Sequence, residues 1–190
     1  MVYQVNFSIE VCAKMWIEYE LKPTVRLKKI WYGIYVLVIL KLNSIIMSKK
    51  LTATTSVIIN ASKSKVWDAL TNPAAIKAYL FGTDVHTDWK KGSPITYTGV
   101  WEGKAYEDKG VIVDIKPGEY YHSTYYSPLS GKEDSEENYA NVIWAVKEDG
   151  SNTIASVSQD NIETEEGIEK AKQNWDYVLK GMKEYITLNP

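Results

Sequence analysis

The chain has 190 residues, 45% apolar and 24% charged, a length for one domain with an appendage and a composition too apolar for disorder. A single cysteine excludes a disulfide framework and a cysteine-based zinc site, and a net charge of −2 with a pI near 5.8 argues against nucleic acid as the main partner. Seven Trp and 14 Tyr stand against two Phe; rings of this kind, apolar bodies with one polar handle, suit cores, cavities and interfaces alike.

Residues 1–46 differ from the rest. They hold Cys12 and the one arginine, Arg26, and carry six basic and three acidic residues, whereas residues 47–190 carry 16 Lys and 21 Asp and Glu. Arg26, Lys28 and Lys29 precede an apolar run, Ile30 to Leu40, that Lys41 interrupts. Three readings fit. The run approaches a membrane span, which needs about 20 apolar residues. It also has the length of a secretory h-region, although a long acidic-bearing stretch precedes it and no small-residue cleavage site follows. The third reading starts the native protein at Met47, and the composition break and missing caps favour it. Residues 1–46 are therefore expected to be a non-domain extension and 47–190 the domain, with membrane contact only if the extension is native.

Within the domain, Leu51–Asn60 is β-branched and reads as a strand. Ser62 is placed to cap a short helix over Lys63–Leu70, and Asn72-Pro73 ends it and opens one or two turns over Ala74–Leu80. A strand is expected over Thr83–Trp89, after Gly82. Short β runs follow: Ile95–Trp101, Ala105–Ile115 after the Glu102-Gly103-Lys104 turn, and the tyrosine-rich Glu119–Tyr126. A polar loop spans Ser127–Asn138. Tyr139–Lys147 and Thr153–Gln159 flank Glu148-Asp149-Gly150-Ser151, a hairpin signal. Successive hairpins imply an antiparallel sheet. From Thr164 to about Ile186, apolar residues fall at Ile168, Ala171, Trp175, Val178, Met182 and Tyr185, three or four apart, and this stripe predicts a long helix laid on the sheet. The expected class is α+β, a helix-grip arrangement in which a curved antiparallel sheet wraps a C-terminal helix.

The run Val66-Trp67-Asp68-Ala69-Leu70-Thr71-Asn72-Pro73 resembles the opening of the START-like (SRPBCC, Bet v-like) superfamily. More narrowly, the chain is similar to bacterial members of the group named for the C-terminal domain of the activator of heat-shock protein 90 ATPase. Phe81-Gly82-Thr83, Asp88-Trp89-Lys90-Lys91-Gly92-Ser93, Trp101-Glu102-Gly103-Lys104, Tyr106-Glu107-Asp108-Lys109-Gly110, Gln159-Asp160-Asn161 and Asn174-Trp175 with Val178-Leu179 carry the likeness, in order, over about Leu51 to Ile186. The resemblance implies a cavity between sheet and helix that in the superfamily holds apolar molecules. It also implies, through the namesake, a stress-response cochaperone acting by protein contact. The namesake's N-terminal domain has no counterpart here, so that role is not carried over.

Catalytic signatures are sparse. There is no Gly-x-Ser-x-Gly elbow, P-loop, dinucleotide fingerprint or His-Glu-x-x-His. Asp84, His86 and Asp88 share one strand parity and suit a metal or a general base, or a solvated edge. Glu102, Glu107 and Asp108 gather near the Gly103 turn and read as a solvated rim, as does the acidic loop Glu133–Glu137. The sharper set is aromatic: Tyr97, Trp101, Tyr121, Tyr125, Trp144 and Trp175, with His122 as a polar contact. Convergence of these side chains would line a small-molecule site; packed solidly, they would be core. Alternation leaves open which face is inward. Three functions follow: a cytoplasmic domain binding an apolar or amphipathic molecule without changing it, a protein-interaction module, or a cyclase- or hydrolase-like enzyme using His122 or a rim carboxylate. The first needs no cofactor, no metal and no catalytic residue.

Overall fold

The computed structural model describes residues 50–189. The extension at residues 1–46, with Cys12, the apolar run and the Met47 start, lies outside the described residues. No described helix is long and apolar enough to cross a membrane.

Strand β1 (Leu51–Ile59) leads to α1 (Lys63–Thr71) and α2 (Pro73–Tyr79). Ser62 caps α1 by accepting from the Lys65 amide at 3.4 Å. Asn72 serves both helices: its backbone N–H closes α1 on the Asp68 carbonyl at 2.7 Å, and its side chain accepts from the Ala74 amide at 3.0 Å to open α2, where Pro73 occupies the first turn. Six strands follow: β2 (Asp84–His86), β3 (Pro94–Trp101), β4 (Lys104–Lys116), β5 (Tyr120–Tyr125), β6 (Ala140–Asp149) and β7 (Asn152–Ile162). Two 3-10 turns, Pro128–Ser130 and Glu136–Asn138, punctuate the expected polar loop. The expected strand over Thr83–Trp89 shrinks to the three residues of β2, because Trp89 turns the chain with φ +54°.

The seven strands form one antiparallel sheet in the order β1-β7-β6-β5-β4-β3-β2. Its curvature has local causes. A bulge between Ile112 and Asp114 shifts the β4–β5 register. At Gly110, β5 approaches so closely that a Cβ would collide with the Thr124 carbonyl oxygen and lie 2.6 Å from its carbon. The Val111 amide donates there to the Thr124 hydroxyl, at 2.9 Å, instead of to a backbone carbonyl. Gly99 does a related job, its bare backbone covered by the Tyr106 ring.

Helix α3 (Glu165–Leu188) closes the domain. Thr164 accepts from the Gly167 amide at 3.0 Å, and Glu165 and Glu166 sit in the first turn, where the helix dipole favours negative charge. Its C-terminal half is the buried part: Val178, Leu179, Met182 and Ile186 pack with Val66, Leu70 and Ile76 from α1 and α2 and with Ala155 and Val157 from β7. The expected stripe correctly includes Val178 and Met182 but omits Leu179 and Ile186. The helix lies in a groove between sheet and α1–α2, so it buries a wider arc than a single line of residues. Ile168, Ala171 and Trp175, in the N-terminal half, are only half-buried. This difference between the two halves positions the candidate site.

Candidate functional site

Side chains at alternate positions share a sheet face. On β4, Tyr106, Asp108, Gly110 and Ile112 point inward with Ile95 and Tyr97 of β3, Tyr121 and Tyr125 of β5, and Val142 and Trp144 of β6. The rings meet edge to face: Tyr97 on Tyr125 with centroids 6.3 Å apart, Trp89 and Trp67 on Tyr121 at 5.2 and 6.5 Å, and Trp144 on Trp175 at 5.6 Å and 89°. Trp175 also donates its indole N–H to Gln159 Oε1 at 2.8 Å, which ties the half-buried part of α3 to β7. Trp144 and Tyr121 are buried, whereas Tyr97, Tyr125, Trp89 and Trp175 are only half-buried.

Five of the seven expected site residues therefore come together: Tyr97, Tyr121, Tyr125, Trp144 and Trp175. The other two do not join them. Trp101 has the parity of Tyr97 but stands four residues further along β3, at the Glu102-Gly103 hairpin end, and is 57% exposed. His122 alternates with Tyr121 and lies on the opposite face. There its Nε2–H donates to Asn141 Oδ1 at 2.8 Å, and Asn141 donates from its backbone N and its Nδ2 to the Asp160 carboxylate at 2.6 and 2.8 Å. His122, a candidate ligand contact or else a satisfied strand histidine by its sequence, is a satisfied member of this outer-face chain.

Asp108 is the residue that sequence reasoning misplaced. Read as part of a solvated rim with Glu102 and Glu107, it is instead 8% exposed and inward-facing, while Glu102 and Glu107 remain exposed. The Tyr125 hydroxyl donates to its Oδ2 at 2.6 Å; its Oδ1 is buried and no described residue donates to it. The signal was available in the parity of β4, since Asp108 is four residues from core Ile112. Tyr79, also unmarked, belongs to the same interior: its hydroxyl donates to the Ala69 carbonyl at 3.2 Å.

The phenols are held neutral. Burial raises the Tyr97 hydroxyl to about 12, partly offset by a hydrogen bond from Tyr121, with the Asp108 charge pushing it up further. Burial likewise raises Tyr79, Tyr121 and Tyr125, the last reinforced by its bond to Asp108. Up to strongly alkaline pH the site thus offers neutral donors and aromatic faces. The folded state holds these protons where unfolded tyrosines release them, near 10. Their contribution to stability is complete below about 10 and is lost as the pH rises through the folded value of Tyr97, about 12. In an alkaline titration followed by tyrosinate absorbance, the interior set, Tyr79, Tyr97, Tyr121 and Tyr125, should ionise only well above pH 10 or together with unfolding. Ionisation of this interior set near 10 with the fold intact would contradict this geometry.

The remaining polar candidates are dispersed. Asp84 pairs with Lys77 at 2.8 Å and His86 is exposed. The Ser93 hydroxyl beside Asp88, with Lys90, holds its carboxyl below the usual range. Among the described residues no group of three or more His, Cys, Asp and Glu side chains is arranged to hold a metal ion.

Residues 60–187 match the family described as Activator of Hsp90 ATPase homolog 1-like protein. The chain belongs to this family. Comparison with curated proteins gives no match. Among solved structures, the family member described here is 41% identical to ChR145 from Cytophaga hutchinsonii, with a TM-score of 0.66, covering 74% of this chain and 96% of that one. It also resembles the Aha1 dimer from Colwellia psychrerythraea (16% identity, TM-score 0.57, 72% and 96% covered). CalU16 from Micromonospora echinospora is similar at 15% identity and TM-score 0.54, with 73% and 85% covered. The last two likenesses concern the fold alone. The curved sheet and closing helix are those of the START-like superfamily, so this homolog 1-like domain carries the helix-grip architecture.

Proposed function

We propose that this domain binds an apolar or amphipathic small molecule against the inner sheet face beside the N-terminal half of α3, without changing it chemically, in a cytoplasmic setting. The observation that carries the reading is the set of Tyr97, Tyr125 and Trp175, inward-facing aromatic residues that are only half-buried although the C-terminal half of α3 is sealed. Aromatic walls with a few polar groups are the make-up of small-molecule sites.

The test uses N-phenylnaphthylamine, a neutral fluorescent apolar probe. Saturable one-to-one binding with a rise in melting temperature is expected, since a ligand at 100 times its Kd stabilises by about 2.7 kcal/mol. Tyr97→Trp, which enlarges the ring packed against Tyr125, should weaken binding by about tenfold or more, some 1.4 kcal/mol. Absence of saturable binding, or an affinity that Tyr97→Trp leaves unchanged in a folded protein, would overturn the reading.

A second reading, a protein-contact surface, is favoured by one feature. Phe81 and Tyr177 stack at 5.3 Å and 20° while remaining 61% and 62% exposed. Exposed apolar pairs of this kind suit a partner surface. Charge-bearing substitutions at both positions that leave every protein interaction intact would exclude it.

A further inference from the structure

Asp108 combines features that a structural role leaves unexplained. Its carboxylate is more than nine-tenths buried, yet only one of its oxygens is used. Tyr125 holds Oδ2 and thereby fixes the carboxylate plane, which leaves Oδ1 without a described partner. No described cation balances it. Its neighbour Lys109 points to the other face, where it pairs with Asp134 and lies 5.9 Å from the centre of the Tyr126 ring. Leaving a buried acceptor unpaired costs about 1–3 kcal/mol, and more when the group is charged. Asp108 is flanked by Tyr97 and Tyr125, half-buried residues that pack edge to face, and aromatic faces attract cations.

Building on the small-molecule reading, we infer that Asp108 is the polar anchor of the site and that its ligand class is an apolar molecule bearing a hydrogen-bond donor, with a protonated amine held most tightly. The donor group meets Oδ1, the apolar body lies along Tyr97, Tyr125 and Trp175, and a carboxylate-bearing ligand of the same shape is rejected by like-charge repulsion. The anchor thus sets specificity, while the rings supply affinity for any apolar body.

Tryptamine, tryptophol and indolepropionate share an indole body and differ in the end group. Their displacement of N-phenylnaphthylamine at neutral pH separates the two roles. The wild-type protein should prefer tryptamine over tryptophol by about tenfold, the low end of what a hydrogen bond to a charged group is worth, and bind indolepropionate weakest. Asp108→Asn should narrow the ratio of tryptamine to tryptophol affinity, read within the variant itself, to within about threefold. A wild-type protein that binds the probe but ranks the three ligands equally overturns the anchor and leaves the small-molecule reading standing. This arm needs no variant, so the result does not depend on Asp108→Asn folding. An unchanged amine preference in folded Asp108→Asn likewise overturns the anchor. Failure of the wild-type protein to bind the neutral probe removes the underlying reading, and the anchor with it.

Discussion

Gly110→Ala is expected to cost about 3–4 kcal/mol, in the range reserved for steric conflict that cannot relax. The added methyl would collide with the Thr124 carbonyl oxygen and its carbon, which are backbone atoms of the neighbouring strand and cannot rotate aside. Gly110 does not have a positive φ, so the demand is for space alone. Relief requires β5 to move away from β4, and Tyr125, next to Thr124, would move with it and lose its bond to Asp108. The substitution should therefore lower the guanidinium unfolding midpoint steeply and, in whatever protein folds, weaken probe binding. A loss below about 1 kcal/mol would mean that the strands tolerate separation and that the close approach does not set the curvature.

Trp144→Ala is the second large effect, about 3–5 kcal/mol by the measure of buried tryptophan truncations. The indole is 5% exposed, lies mid-strand in β6 and meets Trp175 edge to face at 5.6 Å. Its removal takes away a sheet-side ring contact of the half-buried part of α3, leaving the Trp175–Gln159 and Thr55–Asp176 hydrogen bonds as ties there. Trp144→Phe retains an aromatic edge and should cost less than half as much. Urea unfolding of both variants gives the comparison. Equal losses would show that the indole's specific fit matters and that a ring in general does not suffice. A Trp144→Ala protein as stable as wild type would contradict its placement in the core.

Most of the architecture was legible because its signals are local. Ser62, Asn72-Pro73 and Thr164 mark helix starts by chemistry that operates within a few residues, and Glu148-Asp149-Gly150-Ser151 marks a hairpin the same way. The site was legible only in part. Tyr97 and Trp101 have the same parity, and parity says nothing about where along a strand the cover ends; four residues at about 3.3 Å each carry Trp101 beyond it. For His122, parity was decisive but needed an independent anchor, namely that Tyr121 faces the core. Asp108 was hidden by composition. In Glu107-Asp108-Lys109 three adjacent charges look like a surface, and the middle one points inward because β4 continues straight through them. A charged triplet inside a strand necessarily sends one parity to each face.

The sheet order also determines how this chain must assemble. β1 is the first strand and pairs along its length with β7, the last, from Ile59 opposite Thr153 to Leu51 opposite Ile162, and the Thr153 hydroxyl donates to the Ala61 carbonyl across the same junction. Among the described residues no other strand borders β1, so its hydrogen bonds to β7 form only after five other strands have been laid down, and α3, which covers β1, comes later still. Contacts this distant in sequence require closing a long loop before they return any stabilisation, and such topologies fold in about milliseconds to seconds, well behind helical bundles. On the ribosome, β1 must wait as an unpaired strand edge until nearly the whole domain has emerged. Its alternating threonines and serines, Thr52, Thr54 and Ser56, keep that waiting edge polar along one side.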